Sequence, residues 1–156
     1  MTEIELRKIG DTLLDYTRKQ EGAIGRTLEF VDYHGFQKSR FSEDLLNEML
    51  RPFHCTADDV QVEFIHVTSD LTDEVHYHEG SIAFVYVLGA TEGFAEPQDA
   101  IAYKDGAWIA MKQGEWWMIP PKTVHGFSVL PGGELYFLSV QTPPIVHGTS
   151  DDYHRM

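Results

Sequence analysis

The residues in this chain best placed to do chemistry are two histidines separated by one tyrosine, His76-Tyr77-His78. They follow Asp73-Glu74-Val75 and precede Glu79-Gly80 and the apolar run Ile82-Ala83-Phe84-Val85-Tyr86-Val87-Leu88-Gly89. On an extended segment, residues i and i+2 point to the same face, about 7 Å apart along the strand. From that spacing two imidazoles can converge on one metal ion, which a neutral ring nitrogen binds well. A third histidine, His125, ends the segment Gly114-Glu115-Trp116-Trp117-Met118-Ile119-Pro120-Pro121-Lys122-Thr123-Val124-His125. His34, His54, His147 and His154 stand at no ligand spacing and are expected at the surface.

The rest of the chain must position these groups. Leu6, Ile9, Leu13 and Tyr16 recur at three- to four-residue spacing, which predicts an amphipathic helix over 3–19 that Gly10 weakens without breaking. A short strand is expected over 27–33, ending at His34-Gly35. Ser42 is a helix N-cap, with Glu43 and Asp44 in the first turn, Leu45, Leu46, Met49 and Leu50 as the apolar stripe and Pro52 as the stop. From about Val60 the texture changes to short apolar runs divided by turn residues. Strands are expected at 62–68, 75–78, 82–88, 99–102, 107–111, 115–119, 126–130 and 134–141. The dividers include a polar turn at 69–73 and Pro131-Gly132-Gly133. Strands at this spacing indicate a sandwich or barrel rather than alternating strand and helix units.

Composition narrows the function. At 156 residues, 42% of them hydrophobic, the chain fits one globular domain. A net charge of −13 argues against nucleic acid or an anionic membrane as partner, because phosphate binding needs clustered Lys and Arg. A single cysteine, Cys55, allows no intramolecular disulfide and is a weak candidate nucleophile. The acidic start Met1-Thr2-Glu3-Ile4-Glu5 lacks the form of a signal peptide, and no apolar run approaches the length of a membrane span. A cytoplasmic location is the expectation.

Two segments together resemble the cupin superfamily. His76-Tyr77-His78, with the strand ending Tyr86-Val87-Leu88-Gly89, resembles its first motif. Gly114, five residues, then Pro120-Pro121-Lys122-Thr123-Val124-His125, resembles its second, with 24 residues (90–113) between the motifs. The resemblance covers roughly 60–142. It implies a mainly β fold, a double-stranded β-helix (jelly-roll) barrel. The expected layout is a helical and strand extension at 1–56, the barrel at 57–142 and a C-terminal arm at 143–156. It also implies that His76, His78 and His125 are ligands of one metal inside a barrel mouth.

The departures from the family pattern bear on chemistry. The glutamate that usually supplies a fourth ligand falls on Ala83, or Ile82, neither of which binds metal. Glu79 directly follows His78 and is a tentative substitute if the chain turns at Gly80. Lys122 stands where the family prefers glycine, and Val129 where an asparagine sometimes follows. Three neutral imidazoles suit Fe(II), the preferred metal, and also Zn, Ni, Mn or Cu. They leave a cationic centre with open positions, which favours a small anionic, chelating or enolisable substrate. The resemblance implies a non-haem Fe(II) dioxygenase, with a non-redox lyase or isomerase, or a non-catalytic binding cupin, as alternatives. Expected pocket-lining residues are Ala83, Val85, Val87, Trp116 and His66, the last either structural or facing substrate. Gln141, Tyr136 and Tyr103 are further polar candidates, and a homodimer is expected.

Overall fold

In the computed structural model, which describes residues 1–20, 27–33, 36–69, 75–147 and 150–156, the chain opens on α1 (Glu3–Lys19). Thr2 caps it reciprocally. The Glu5 amide donates to Thr2 Oγ1 at 3.1 Å and the Thr2 amide donates to Glu5 Oε1 at 3.2 Å. Glu3 and Glu5 in the first turn and Arg18 and Lys19 in the last complement the helix dipole. α2 (Glu43–Leu50) starts at Ser42, whose Oγ accepts from the Leu45 amide, and passes into a single 3-10 turn containing Pro52.

The strands are β1 (Leu28–Tyr33), β2 (Phe36–Phe41), β3 (Gln61–Thr68), β4 (His76–Tyr77), β5 (Ile82–Val87), β6 (Gln98–Lys104), β7 (Ala107–Ala110), β8 (Trp116–Ile119) and β9 (Gly126–Thr142). The short pieces β10 (Val146–His147), β11 (Ser150–Asp151) and β12 (His154–Arg155) follow. Among the described residues the main sheet runs β1-β2-β3-β9-β5-β8, with β6 joining β9 to β7, and every pairing in it is antiparallel. The fold is mainly β with an N-terminal helix packed on it. β2 was not anticipated, because Phe36-Gln37-Lys38-Ser39-Arg40-Phe41 carries two cations in six residues. The strands expected at 126–130 and 134–141 form one continuous run. Pro131-Gly132-Gly133 makes a kink inside it, where Gly132 has φ 82° and a Cβ on Gly133 would overlap the Gln98 and Leu130 carbonyls. Before the kink β9 pairs with β6; from Glu134 onward it pairs with β3 and β5. Most of the polar turn expected at 69–73, His34 and the side chain of His147 lie outside the described residues.

β3, β5 and β9 are covered on both faces. Val62 and Phe64, Phe84, Tyr86 and Leu88, and Leu138 and Val140 form one cluster with Leu6, Ile9, Leu13, Leu14, Leu46 and Leu50 of the helices. The alternate residues, Ile65 and Val67, Ala83, Val85 and Val87, and Leu135 and Phe137, turn into the barrel with Trp117, Ile119, Phe127 and Val129. This double burial explains why β5 is an unbroken apolar run rather than an alternating one.

Gly10 is where α1 meets the sheet. A Cβ there would overlap the ring of Phe84, which is fully buried. The Gly10→Ala variant therefore sets a gain of about 1 kcal/mol in helix propensity against an overpacking cost of about 1–3 kcal/mol. We expect a net loss of stability, measured as a lower denaturation midpoint, and partial recovery when Phe84→Leu makes room. A rise in the midpoint for Gly10→Ala alone would contradict this packing.

Candidate metal centre

The three motif histidines come together because His76 of β4 and His125, the residue before β9, form an isolated antiparallel bridge. The His76 amide donates to the His125 carbonyl and the His125 amide to the His76 carbonyl, both at 2.8 Å. The Lys122 amide donates to the His78 carbonyl at 2.6 Å. Lys122 has φ 64°, the left-handed conformation that favours glycine, so a strained residue stands at this turn. His76, His78 and His125 are 6%, 3% and 3% exposed, and each offers a ring nitrogen within 4.8 Å of the other two. Two nitrogens on one ion at about 2.0–2.1 Å lie at most about 4.2 Å apart, so small ring movements would close this set on a metal.

The hydrogen bonds point the same way. Nδ1 of His125 donates to the Thr123 carbonyl at 2.8 Å, and Nδ1 of His78 donates to the Asp152 carbonyl at 2.5 Å. Each bond fixes the tautomer that leaves Nε2 with a bare lone pair. Nε2 of His78 is buried and has no hydrogen-bond partner among the described residues. An orphaned acceptor in a cluster of imidazoles is a misfit for a structural core and fits a metal ligand. Burial lowers the pKa of both rings, that of His125 to about 4, so both are neutral and ready to bind at neutral pH. The cluster is therefore able to hold a metal ion.

The histidines share a narrow cavity, with about 30 Å³ open to the centres of water-sized molecules. Its apolar wall includes Ala83, Val85, Phe127 and Phe137, and its polar side Lys38, Glu63, Ser139 and Gln141. Lys38 and Glu63 are 4% and 2% exposed, with Nζ 3.6 Å from Oε1; Gln61 Nε2 also donates to that oxygen at 3.1 Å. Burial lowers the Lys38 pKa, against the opposing pull of Glu63. Gln141 Oε1 is a second buried acceptor without a partner among the described residues. Tyr153 closes the remaining side, its ring stacked on His76 at 4.2 Å and 22°.

Ala83 and Val85 line the cavity; Val87 faces the same way but lies two residues further along β5, beside Phe137 in the apolar core. Trp116 is a correction. It lies opposite Tyr86 in the register, on the helix-facing side, 45% exposed beneath the Arg7 guanidinium at 3.8 Å. Its neighbour Trp117, opposite Val85, is the one that enters the barrel. His66 is another. Alternation in β3 turns Glu63, Ile65 and Val67 inward, so His66 sits outside, stacked on Tyr136 at 4.0 Å and bonded to Gln37 and Glu134. Tyr136 goes with it, Tyr103 packs against Trp108, and Gln141 does enter the cavity. Glu79 is exposed and outside the histidine cluster; its amide donates to Asp152 Oδ1. Cys55 is half-buried outside this cavity, with its thiol pushed up by burial, away from a nucleophilic thiolate.

Sequence reasoning missed Lys38, Glu63, Asp152 and Tyr153. Glu63 carried a signal, since it shares parity with Ile65 and Val67 inside an apolar run. Lys38 was hidden with its strand. Asp152 and Tyr153 carried none, because only the folding back of the tail brings them to the histidines.

No protein-family model matches the chain, and no curated protein sequence matches it. Solved structures do. A Streptomyces Pac13 variant with uridine superposes at a TM-score of 0.54, with 12% identity over 84% of this chain and 85% of that one. The polyketide cyclase RemF of Streptomyces resistomycificus gives 0.53, with 18% identity over 76% of each chain. A predicted oxalate decarboxylase of Thermotoga maritima gives 0.51, with 16% identity over 74% of this chain and 91% of that one. At such identities the likeness shows the fold alone, a double-stranded β-helix barrel of the cupin type.

Proposed function

We propose that His76, His78 and His125 hold one divalent transition metal, and that the chain is a metal-dependent enzyme performing acid–base chemistry on a small anionic, enolisable substrate. One observation carries this reading: the buried Lys38–Glu63 pair lines the same cavity as the three histidines. When bound, the metal would act as a Lewis acid on a substrate oxygen. Glu63 is the group to accept a proton from a carbon beside that oxygen, and Lys38, whose proton burial has loosened, the group to return one. Gln141, with its free acceptor, orients a donor of the substrate. Ala83, Val85 and Phe127 exclude water from the reacting end. The solved neighbours are described as a nucleoside dehydratase, a cyclase and a predicted decarboxylase, which supports a barrel able to host non-redox conversions.

A second reading, an Fe(II) dioxygenase, is favoured by the all-nitrogen ligand set without a carboxylate. The two part experimentally. We expect the protein loaded with Zn(II) or Co(II) to exchange the α-hydrogens of small 2-oxo acids or 1,3-dicarbonyls in D2O, followed by NMR. The Glu63→Gln variant is expected to lose about 10²–10⁴-fold in exchange rate while retaining its metal. Breaking a buried ion pair costs about 3–5 kcal/mol, so a Lys38→Met/Glu63→Gln double variant serves as the folding control. Exchange undiminished by Glu63→Gln would remove the acid–base assignment. Oxygen consumption by the Fe(II)-loaded form alone would select the second reading.

Metal binding itself predicts near-stoichiometric uptake by the wild type, read by elemental analysis, and none above background for His76→Ala. Metal-free protein should also show the cost of charging a buried ligand. His125 takes up its proton near 6.5 when unfolded and near 4 when folded, so between these values the unfolded chain binds more protons. Its contribution is fully present above pH 6.5 and disappears as the pH falls to 4, a loss of about 3 kcal/mol in chemical denaturation. A flat profile across that window would mean that His125 is not held neutral.

A further inference from the structure

We propose that the C-terminal strap, residues 151–156, is the positioning element of the metal centre, with Asp152 setting which nitrogen of His78 is bare and Tyr153 fixing the plane of His76. The proposal rests on the reading of these histidines as metal ligands. The strap is tied to the site at several points. β12 pairs with β4, setting His154 opposite Tyr77 and Arg155 opposite His76, and the Met156 amide donates to the Val75 carbonyl at 3.1 Å. The Asp152 carboxylate accepts from the amides of Glu79 at 2.6 Å and Gly80 at 2.9 Å, the two residues that follow His78. Burial pushes that carboxylate's pKa up, but the two amides and His154, bonded at 2.9 Å, hold it below its ordinary value, so it stays an anionic anchor.

The consequence falls on His78. Its Nδ1–H donates to the Asp152 carbonyl, a partner 74 residues away in the chain, whereas Nδ1 of His125 donates to Thr123, two residues away. Neutral imidazole populates either tautomer, and the one adopted follows the partner offered. His125 is thus oriented by its own loop, while His78 is a competent ligand only with the strap docked. The same molecule supplies both the dependent histidine and its internal control. Tyr153, stacked on His76 and 6.0 Å from the His78 ring, adds a wall that limits rotation of both.

The test uses long-range ¹H–¹⁵N spectra of the histidine rings and Co(II) titration, on the wild type, a chain ending at Asp151, Asp152→Ala, Asp152→Asn and Tyr153→Ala. Removing 152–156 is expected to turn His78 from the single Nδ1–H tautomer into a mixture and leave His125 unchanged. Co(II) affinity should fall about 10–100-fold, with a changed visible spectrum. Asp152→Ala should do part of this, and Asp152→Asn, which keeps one acceptor oxygen, should recover most of it. If the truncated chain does not fold by circular dichroism, the Asp152→Ala and Asp152→Asn pair decides in the untruncated chain. A folded variant without the strap contacts that keeps the His78 tautomer and stays within about twofold of wild-type Co(II) affinity overturns the proposal. Failure of the wild type to bind Co(II) retires the metal reading instead, and the tautomer spectra then judge the strap alone.

Discussion

Strand alternation under double coverage is the constraint that the rest of this structure depends on. In the central parts of β3, β5 and β9 successive side chains are committed alternately to the helices and to the barrel, and a shift of one residue would exchange the two sets. The helix side is apolar at its centre, around Phe64, Phe84 and Leu138, and turns polar at His66. The barrel side is graded. It is apolar at Val67, Val87 and Leu135 and becomes polar at Glu63, Ser139 and Gln141, at the end where the histidines stand. The register makes that gradient a site, since Ser139 lies between Glu63 and Val85, and Gln141 between Gln61 and Ala83.

Burial of these polar groups costs free energy unless they are satisfied, and the structure satisfies them unevenly. Lys38 and Glu63 answer each other, and Gln61 helps. Nδ1 of His78 and of His125 both reach carbonyls. Nε2 of His78 and Oε1 of Gln141 are left without partners among the described residues, both in this one cavity. Unmet acceptors gathered at one point, with neutral imidazoles whose pKa burial has lowered, describe a cavity able to hold a cation.

The scaffold also shows how a weak local feature is made firm by what packs on it. β4 has two residues and would not persist alone. It is held by the bridge to His125 on one edge and by β12 on the other. The segment that carries His76 is therefore held by two parts of the chain far from it in sequence.

The sequence by itself determined the helix over 3–19, the capped helix after Ser42, most of the barrel strands and the histidine triad. All but the third histidine rest on short-range physics: a period of 3.6 or 2, a cap three residues from its partner, or side chains at i and i+2 on one strand; His125 was joined to His76 and His78 by the resemblance of its segment to the second cupin motif. It also showed that no carboxylate stands where a fourth ligand would be sought. Tertiary structure alone decided what surrounds the triad. Which of Trp116 and Trp117 turns inward is a question of register against β5, and the outward turn of His66 follows from β3 being covered on both faces. Lys38 enters only because a polar strand joins the sheet beside β3. Asp152 and Tyr153 enter only because the tail folds back across the motif. Those contacts join residues far apart in the chain, and no local pattern encodes them.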